Sequence, residues 1–200
     1  MPSECSVSSL EEKLQHAQAQ LAEGYFENAI EAFSEYLLVQ SSEAKAYEGR
    51  GLAYFKIKNW SAALANFETA KQLNPDEPEN WVGVAMSLAM QNEIYKAIDV
   101  FNELLAKYPE YARGHMQLGM LYYRLGVIKK GHEQMDLALA SRPSLVERRT
   151  IEGYKKEQML LDKKRFYRPD FEELRRKNKT MPGVAAQLFD YLRNKLKNFF

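Results

Sequence analysis

The sequence predicts an all-α fold of stacked helix pairs, and three observations lead to that prediction. A segment of 34 residues occurs four times in succession without an insertion, beginning at Leu10, Ala44, Pro78 and Ala112. Within each copy, apolar residues recur at intervals of three and four, which is the periodicity of an amphipathic helix. Copies two to four have a proline at their thirty-second position, where it ends a helix because it lacks an amide donor.

Three further positions in each copy predict how the helices pack. The eighth and twentieth residues are small, which lets two antiparallel helices approach closely, and the twenty-fourth is large and apolar. The small residues are Ala17, Gly51, Ala85 and Gly119 at the eighth position and Ala29, Ala63, Ala97 and Gly131 at the twentieth; the large ones are Phe33, Phe67, Phe101 and Met135. Each pair leaves an apolar face that only the next pair can cover, so the copies must stack.

These residues resemble the tetratricopeptide repeat. The length of 34, the aromatic Tyr47 or Trp81 at the fourth position, Gly51 and Tyr54 at the eighth and eleventh, and the closing Asn-Pro or Tyr-Pro carry the resemblance. It covers residues 10–145 and implies an α-solenoid, a right-handed superhelix of four helix hairpins. It also implies a concave groove that binds peptides or helices and a scaffold without catalytic machinery.

We divide the chain into four parts on this basis. Residues 1–9 are predicted to form an N-terminal tail, and residues 146–167 a capping helix. Ser144, followed three residues later by Glu147, has the spacing of a capping box at the start of that helix. Residues 168–200 are predicted to be a basic amphipathic C-terminal segment. The four repeats between them are residues 10–43, 44–77, 78–111 and 112–145.

Charge separates the C-terminal part from the repeats. The net charge is +1, but residues 1–143 contain 13 lysines and arginines against 19 acidic residues, whereas residues 144–200 contain 15 against 8. The single cysteine, Cys5, excludes an internal disulfide. The N-terminus lacks the basic and apolar regions of a secretory signal, and no apolar stretch is long enough to span a bilayer. We therefore expect a cytoplasmic protein without a transmembrane segment.

The resemblance implies which residues line the groove. In this family the first helix of each pair presents its second, fifth, ninth, twelfth and thirteenth positions there. The predicted partner-binding residues are Leu14, Leu21, Leu52, Phe55, Val82, Met86, Met90, Met116, Met120 and Tyr123. Methionine is flexible and suits irregular apolar partners, so we expect a protein or peptide partner, above all an apolar or amphipathic helix. The alternative for any one of these residues is a place in the core.

A narrower function of the family is not expected here. Co-chaperones of this family bind the acidic tails of chaperones through a clamp of lysine, asparagine and arginine. At the matching positions this chain has Leu14, Gln18, Gly49, Glu79 and Gly83 in repeats one to three, and Glu48, Leu52, Gly83, Arg113 and Gln117 in repeats two to four. Only Arg113 can hold a carboxylate, so we expect no chaperone-tail clamp.

No motif in the sequence predicts an enzyme. His16, His115 and His132 have no metal-ligand partner at helical or loop spacing. The sequence contains no nucleophile elbow, no paired catalytic carboxylates and no phosphate loop. We predict a non-catalytic adaptor that needs no cofactor and no metal. The alternatives are a small chaperone that shields an apolar segment of a client, and an adaptor attached to a membrane surface.

The end of the chain is predicted to be an amphipathic helix. Its apolar face contains Leu188, Phe189, Leu192, Leu196 and Phe199. Such a short helix is marginal alone in water, so it needs a surface: its own repeats, a partner protein or an anionic membrane. The basic residues nearby are diluted by Glu172 and Glu173, which disfavours nucleic acid as a partner.

Overall fold

The computed structural model describes the backbone of residues 4–166 and the side chains of residues 10–162. Over this range the chain is all-α: helices follow one another and no strand occurs. The helices are α1 (Glu4–Glu23), α2 (Phe26–Val39), α3 (Ala44–Lys56), α4 (Trp60–Leu73), α5 (Pro78–Met90), α6 (Ile94–Lys107), α7 (Ala112–Arg124), α8 (Ile128–Ala140) and α9 (Leu145–Phe166). The pairs α1–α2, α3–α4, α5–α6 and α7–α8 coincide with the four 34-residue copies, which confirms the predicted helix hairpins.

Prolines delimit the helices as predicted. The helix α4 ends at Leu73, before Pro75, and α6 ends at Lys107, before Pro109. The next helix, α5, begins at Pro78, in the first turn, where a missing N–H group costs no hydrogen bond. At the other end of the chain, α1 begins at Glu4 and so extends into the predicted N-terminal tail.

The small residues at the eighth and twentieth positions lie where the two helices of a pair meet. All eight of them are buried. A Cβ atom added to Gly119 of α7 would lie 3.1 Å from the carbonyl oxygen of Gly131 of α8. A larger side chain at either glycine would therefore separate these helices, because the interior has no spare volume.

The phenylalanine at the twenty-fourth position packs against a glycine of the next pair. A Cβ atom on Gly49 would lie 2.8 Å from the ring carbons Cε1 and Cε2 of Phe33. On Gly83 it would lie 2.5–2.6 Å from Cγ and Cε1 of Phe67. Neither ring is more than 4% exposed. Each ring thus fills the space that a glycine leaves open, and we call the contacts Phe33–Gly49 and Phe67–Gly83 the phenylalanine–glycine joints.

Apolar clusters continue these contacts along the repeats. The central cluster includes Phe101, Leu104 and Leu118 from α6 and α7, all buried. The last cluster joins Met135 of α8 to Ile151 of α9, and both are fully buried. Ile151 therefore covers the apolar face that the fourth repeat would otherwise leave open, which is the role expected of a capping helix.

Polar contacts fix the turn between α4 and α5. Lys107 Nζ lies 2.6 Å from Asp76 Oδ1, and the Tyr108 hydroxyl donates to the Asp76 carbonyl at 2.9 Å. The indole N–H of Trp81 donates to the Pro75 carbonyl at 3.1 Å. The three side chains belong to the following repeat, and their bonds fix the position of the turn. They also provide donors for backbone carbonyls that have no partner within a helix.

Arg50 links three consecutive helices. Its Nε donates to Asn66 Oδ1 of α4 at 2.8 Å, and its Nη1 donates to Ser34 Oγ of α2 at 3.1 Å. Because the guanidinium group carries several donors in a fixed plane, one side chain on α3 bonds the helices on both sides.

The predicted capping box at the start of α9 is formed. The Glu147 N–H donates to Ser144 Oγ at 3.3 Å, and the Ser144 N–H donates to Glu147 Oε2 at 2.9 Å. The Ser144 hydroxyl also donates to Glu147 Oε2 at 2.8 Å. These hydrogen bonds to the charged carboxylate lower the pKa of Glu147, and the charge of Arg113 lowers it further.

Removing the charge of Glu147 should reduce the pH dependence of stability. The folded-state pKa lies below the unfolded one, so the carboxylate stabilises fully above its unfolded pKa and loses that effect as pH falls through the folded value. Glu147→Gln should therefore lose less stability than the wild type when urea unfolding at neutral pH is compared with about pH 3. Ser144→Ala should cost about 1 kcal/mol at neutral pH. If the free energy of unfolding fell by the same amount on acidification in the wild type and in Glu147→Gln, this account would be contradicted.

The chain divides into two compact units, residues 1–155 and 156–200. The division falls within α9, not at the predicted borders of the capping helix. Of the second unit the structure describes residues 156–166, the last turns of α9. None of the helices described between residues 4 and 166 has the length and apolar character needed to cross a membrane. The predicted tail residues Leu188, Phe189, Leu192, Leu196 and Phe199 lie outside the described residues.

Candidate partner-binding surface

The first helices of successive repeats lie side by side. The helix α1 contacts α3, and α3 contacts α5. Because each repeat has the same length, residues at one position of the repeat line up in a row across α1, α3, α5 and α7. Five such rows, at the second, fifth, ninth, twelfth and thirteenth positions, contain the residues that the sequence predicts to contact a partner.

The ninth-position row is apolar in three consecutive repeats. It contains Leu52 on α3, Met86 on α5 and Met120 on α7. Leu52 is 40% exposed, and Met90, one turn beyond Met86, is 42% exposed. Phe55 lies beside Leu52, half-buried, with its ring centroid 4.9 Å from that of Trp60. These five residues, Leu52, Phe55, Met86, Met90 and Met120, are called the apolar patch below.

Two of the predicted partner-binding residues belong to the core. Val82 is 5% exposed and Met116 is 8% exposed, and each packs in an apolar cluster. Both occupy the fifth position, which is only about 60° around the helix from the buried eighth position. A sequence pattern cannot separate two faces that lie so close together, and a partner cannot reach either side chain without opening the core.

The remaining predicted residues are half-buried. Leu14 and Leu21 of α1 pack against the first apolar cluster. Met86 packs partly against the central cluster, so it contributes to the core as well as to the apolar patch. Tyr123 of α7 packs on the last cluster, and its hydroxyl lies 2.8 Å from His132 Nδ1. The exposed part of the predicted site is therefore concentrated on α3 and α5.

The second-position row contains an internal ion pair. Arg113 Nη1 lies 2.8 Å from Glu79 Oε2, and the Tyr111 hydroxyl donates to the other oxygen of the same carboxylate. Burial raises the pKa of Tyr111, and the hydrogen bond to Glu79 raises it further. Arg113, the one residue that matches the chaperone-tail clamp, is thus already paired within the chain.

Sequence reasoning did not identify Tyr111 as part of this surface. It occupies the last position of repeat three, where repeats one and two have Glu43 and Glu77. Among the first three repeats, this tyrosine in place of glutamate is the signal that distinguishes the third repeat. Its consequence is that Glu79 accepts a hydrogen bond from Tyr111 in addition to its ion pair with Arg113, so each carboxylate oxygen already has a partner within the chain.

Glu48 has a different environment from Glu79. It is half-buried on α3, and burial raises its pKa, with the carboxylates of Glu77 and Glu79 adding to the increase. Lys45 opposes the increase through its charge. Yet among the side chains that the structure describes, Glu48 takes part in none of the salt bridges.

The thirteenth-position row is basic on either side of Met90. Lys56 is exposed on α3, and Arg124 on α7 donates from Nη1 to the Ala89 carbonyl at 2.9 Å. A second nitrogen of Arg124, Nη2, lies 3.4 Å from Asn92 Oδ1. Arg124 thereby adds a second hydrogen bond to a carbonyl in the last turn of α5, which already accepts from the Asn92 N–H, and links α7 to α5 next to the apolar patch.

The histidines of the fourth repeat have structural contacts. His115 is buried, with Nδ1 2.8 Å from Gln134 Oε1 and Nε2 2.9 Å from the Pro109 carbonyl oxygen. These bonds link α7 to α8 and to the preceding turn. Within the described part of the chain, no group of three or more histidine, cysteine, aspartate or glutamate side chains is arranged to hold a metal ion.

Known proteins share this repeat sequence. The family model described as "Tetratricopeptide repeat" matches residues 14–78. The peroxisomal targeting signal receptor of Kluyveromyces lactis is 25% identical over 171 residues, which are 82% of this chain and 30% of the receptor. The chain spans at most 30% of the length of the curated relatives it matches.

Solved structures share the fold. A thermophilic TPR protein of Thermus thermophilus is similar with a TM-score of 0.65 and 18% identity, covering 76% of this chain and 81% of that one. The first TPR of Spaghetti (RPAP3), solved with the HSP90 peptide SRMEEVD, has a TM-score of 0.55 and 14% identity, covering 58% and 93%. Residues 14–78 are thus similar to the tetratricopeptide repeat in sequence, and the helix hairpins of that stretch recur every 34 residues through α8.

Proposed function

We propose that this chain is a non-catalytic scaffold that binds an apolar or amphipathic segment of a partner protein on the apolar patch. The observation that carries the proposal is the row Leu52, Met86 and Met120, together with the exposure of Met90. Three helices contribute to it: α3 contacts α5, and Arg124 of α7 donates to the Ala89 carbonyl of α5. An extended peptide or a helix laid across the first helices contacts all of them at once.

Physical chemistry supports an apolar partner. Leu52 and Met90 keep a large part of their surface in water. Covering such a side chain contributes on the order of 1 kcal/mol or more, and several together provide specific binding before ordering costs. The thioether side chains of Met86, Met90 and Met120 adopt several shapes at little cost, which suits a partner of irregular surface.

The comparison with Spaghetti supports a peptide ligand but a different chemistry. That repeat domain was solved with an HSP90 peptide whose sequence, SRMEEVD, is acidic. In this chain the matching arginine, Arg113, is paired with Glu79, and the other matching positions lack a cation. The proposal is therefore an apolar recognition surface and not a carboxylate clamp.

Placing negative charge on the apolar patch should abolish binding. Selection of a randomised displayed-peptide library on the wild type should yield peptides with several apolar residues. The double variant Leu52→Glu with Met90→Glu should bind these peptides at least about tenfold more weakly, because two apolar contacts become desolvated carboxylates. Fluorescence anisotropy with the synthetic peptides measures this change.

The matched control places the same change on the second helices. Leu38 and Leu73 are also exposed leucines, on α2 and α4. The variant Leu38→Glu with Leu73→Glu should bind the peptides as the wild type does. Both variants should keep the helical circular dichroism and melting temperature, since all four side chains are exposed. Peptides that bind the apolar-patch variant as tightly as the wild type would overturn the proposed function.

A further inference from the structure

Glu48 is the one charged residue of the fifth-position row. The other members of the row are Leu14, Val82 and Met116, and two of these are buried. Glu48 is half-buried in this row, so its carboxylate is only partly exposed to solvent. A carboxylate placed this way loses part of its hydration, and an ion pair there is screened less than one at the surface.

The charges around Glu48 leave it without a strong partner. Glu77 and Glu79 repel it, and Lys45 attracts it without forming a salt bridge among the described residues. Glu79 differs because Arg113 and Tyr111 bind both of its oxygens. Glu48 is therefore the carboxylate of this surface that gains most when a cation arrives from outside.

Glu48 is also placed within reach of anything that covers the apolar patch. Leu52 follows it by four residues on α3, so the two side chains lie on the same helix face, about 6 Å apart along the axis. On a partner segment, a lysine or arginine one helical turn from an apolar residue can reach Glu48 while that apolar residue contacts Leu52. The apolar contact and the ion pair can then form in one bound geometry.

We propose that the partner segment carries a lysine or arginine that pairs with Glu48 while its apolar residues cover Leu52 and the rest of the apolar patch. The inference rests on the proposed function and adds the charge of the partner to it. The partner is thus a cationic amphipathic segment, opposite in sign to an acidic chaperone tail. Glu48 is the specificity-determining residue, because it rejects a carboxylate at the place where it accepts a cation.

The test uses the peptides selected on the wild type. They should be enriched in lysine or arginine at a fixed spacing, one turn from the main apolar anchor. Glu48→Gln, which keeps the size of the side chain and removes its charge, should weaken binding of these peptides about tenfold. Glu103→Gln on α6, an exposed glutamate of a second helix, is the matched control and should leave binding unchanged.

A second selection, on Glu48→Lys, gives the opposite expectation. Peptides selected on this variant should be enriched in aspartate or glutamate at the same spacing. Thermal melting checks the fold of both variants, and Glu48→Gln should melt no lower than the wild type because it relieves repulsion by Glu77 and Glu79.

The outcomes separate this inference from the proposed function. Peptides that need the apolar patch but show no basic enrichment, or that bind Glu48→Gln as tightly as the wild type, overturn the inference alone. Peptides that bind the variant Leu52→Glu with Met90→Glu as tightly as the wild type overturn the proposed function and the inference with it. Basic enrichment together with weakened binding to Glu48→Gln supports both.

Discussion

Phe101→Ala should destabilise the protein by about 3–5 kcal/mol, the largest effect expected of any single substitution considered. Phe101 is fully buried in the central cluster, beside Leu104 and Leu118, and its removal leaves a cavity that helices fixed by their neighbours cannot close. Such a loss is a large part of the stability of an ordinary domain. Urea unfolding followed by circular dichroism measures it, with Phe101→Leu as the milder control.

The damage from Phe101→Ala should also be local. Stacked repeats contact their neighbours, so stability is roughly a sum of terms for repeats and interfaces. Native-state hydrogen exchange should speed up most in α6 and α7, and least in α1 and α2, which lie farthest along the array. A loss below about 1 kcal/mol, or uniform acceleration over all helices, would show that Phe101 does not hold repeats three and four together.

Gly83→Ala should destabilise by about 1–3 kcal/mol, although alanine is the better helix former. The added methyl group would stand 2.5–2.6 Å from two ring carbons of Phe67, so the ring or the whole of α5 has to move. The matched control is Gly153→Ala in α9. A Cβ atom there meets nothing within 4 Å, so the same change should stabilise by up to about 1 kcal/mol.

A double variant shows whether the phenylalanine–glycine joint causes the effect. Phe67→Leu removes part of the ring that meets the new methyl group. Combined with Gly83→Ala, it should cost less than the sum of the two single changes, because the residues are in direct contact. If the changes in unfolding free energy were strictly additive, or if Gly83→Ala alone were stabilising, the contact between Phe67 and Gly83 would not be the cause of the effect.

The fold could be predicted because its causes are local and repeated. Ala63 and Phe67 are four residues apart, and the same pair of sizes recurs every 34 residues as Ala97 and Phe101. Four occurrences in register outweigh the ambiguity of any single helix pattern. Proline positions then fix the helix ends, and Ser144 with Glu147 forms the predicted capping box at the start of α9.

The candidate surface was predictable only in part, since it depends on contacts between helices. The repeat position places Leu52 and Met90 on an exposed face, but the same reasoning places Val82 there, and Val82 is buried. Which of Glu48 and Glu79 is paired follows from Tyr111, at the end of the repeat that contains Glu79, and from Arg113 in the next repeat. A sequence pattern assigns residues to rows and does not state which atoms meet across neighbouring helices.

The phenylalanine–glycine joint also determines how an array of this kind can grow. Repeat two carries both halves of the joint, the receiving Gly49 and the protruding Phe67. A duplicate of residues 44–77, inserted directly after the original, would receive Phe67 on its own glycine and offer its own phenylalanine to Gly83. The phenylalanine–glycine contact would then be present on both sides of the inserted repeat, as it is on both sides of repeat two.

The ends of the array lack this property. Repeats one and four have Gln15 and Gln117 where the middle repeats have the receiving glycine. Gene duplication is therefore accommodated in the middle of the chain, where each event lengthens the first-helix face by one helix and leaves both termini as they were. The glycines that fix the spacing of the repeats are thus also what makes repeat two a transferable unit.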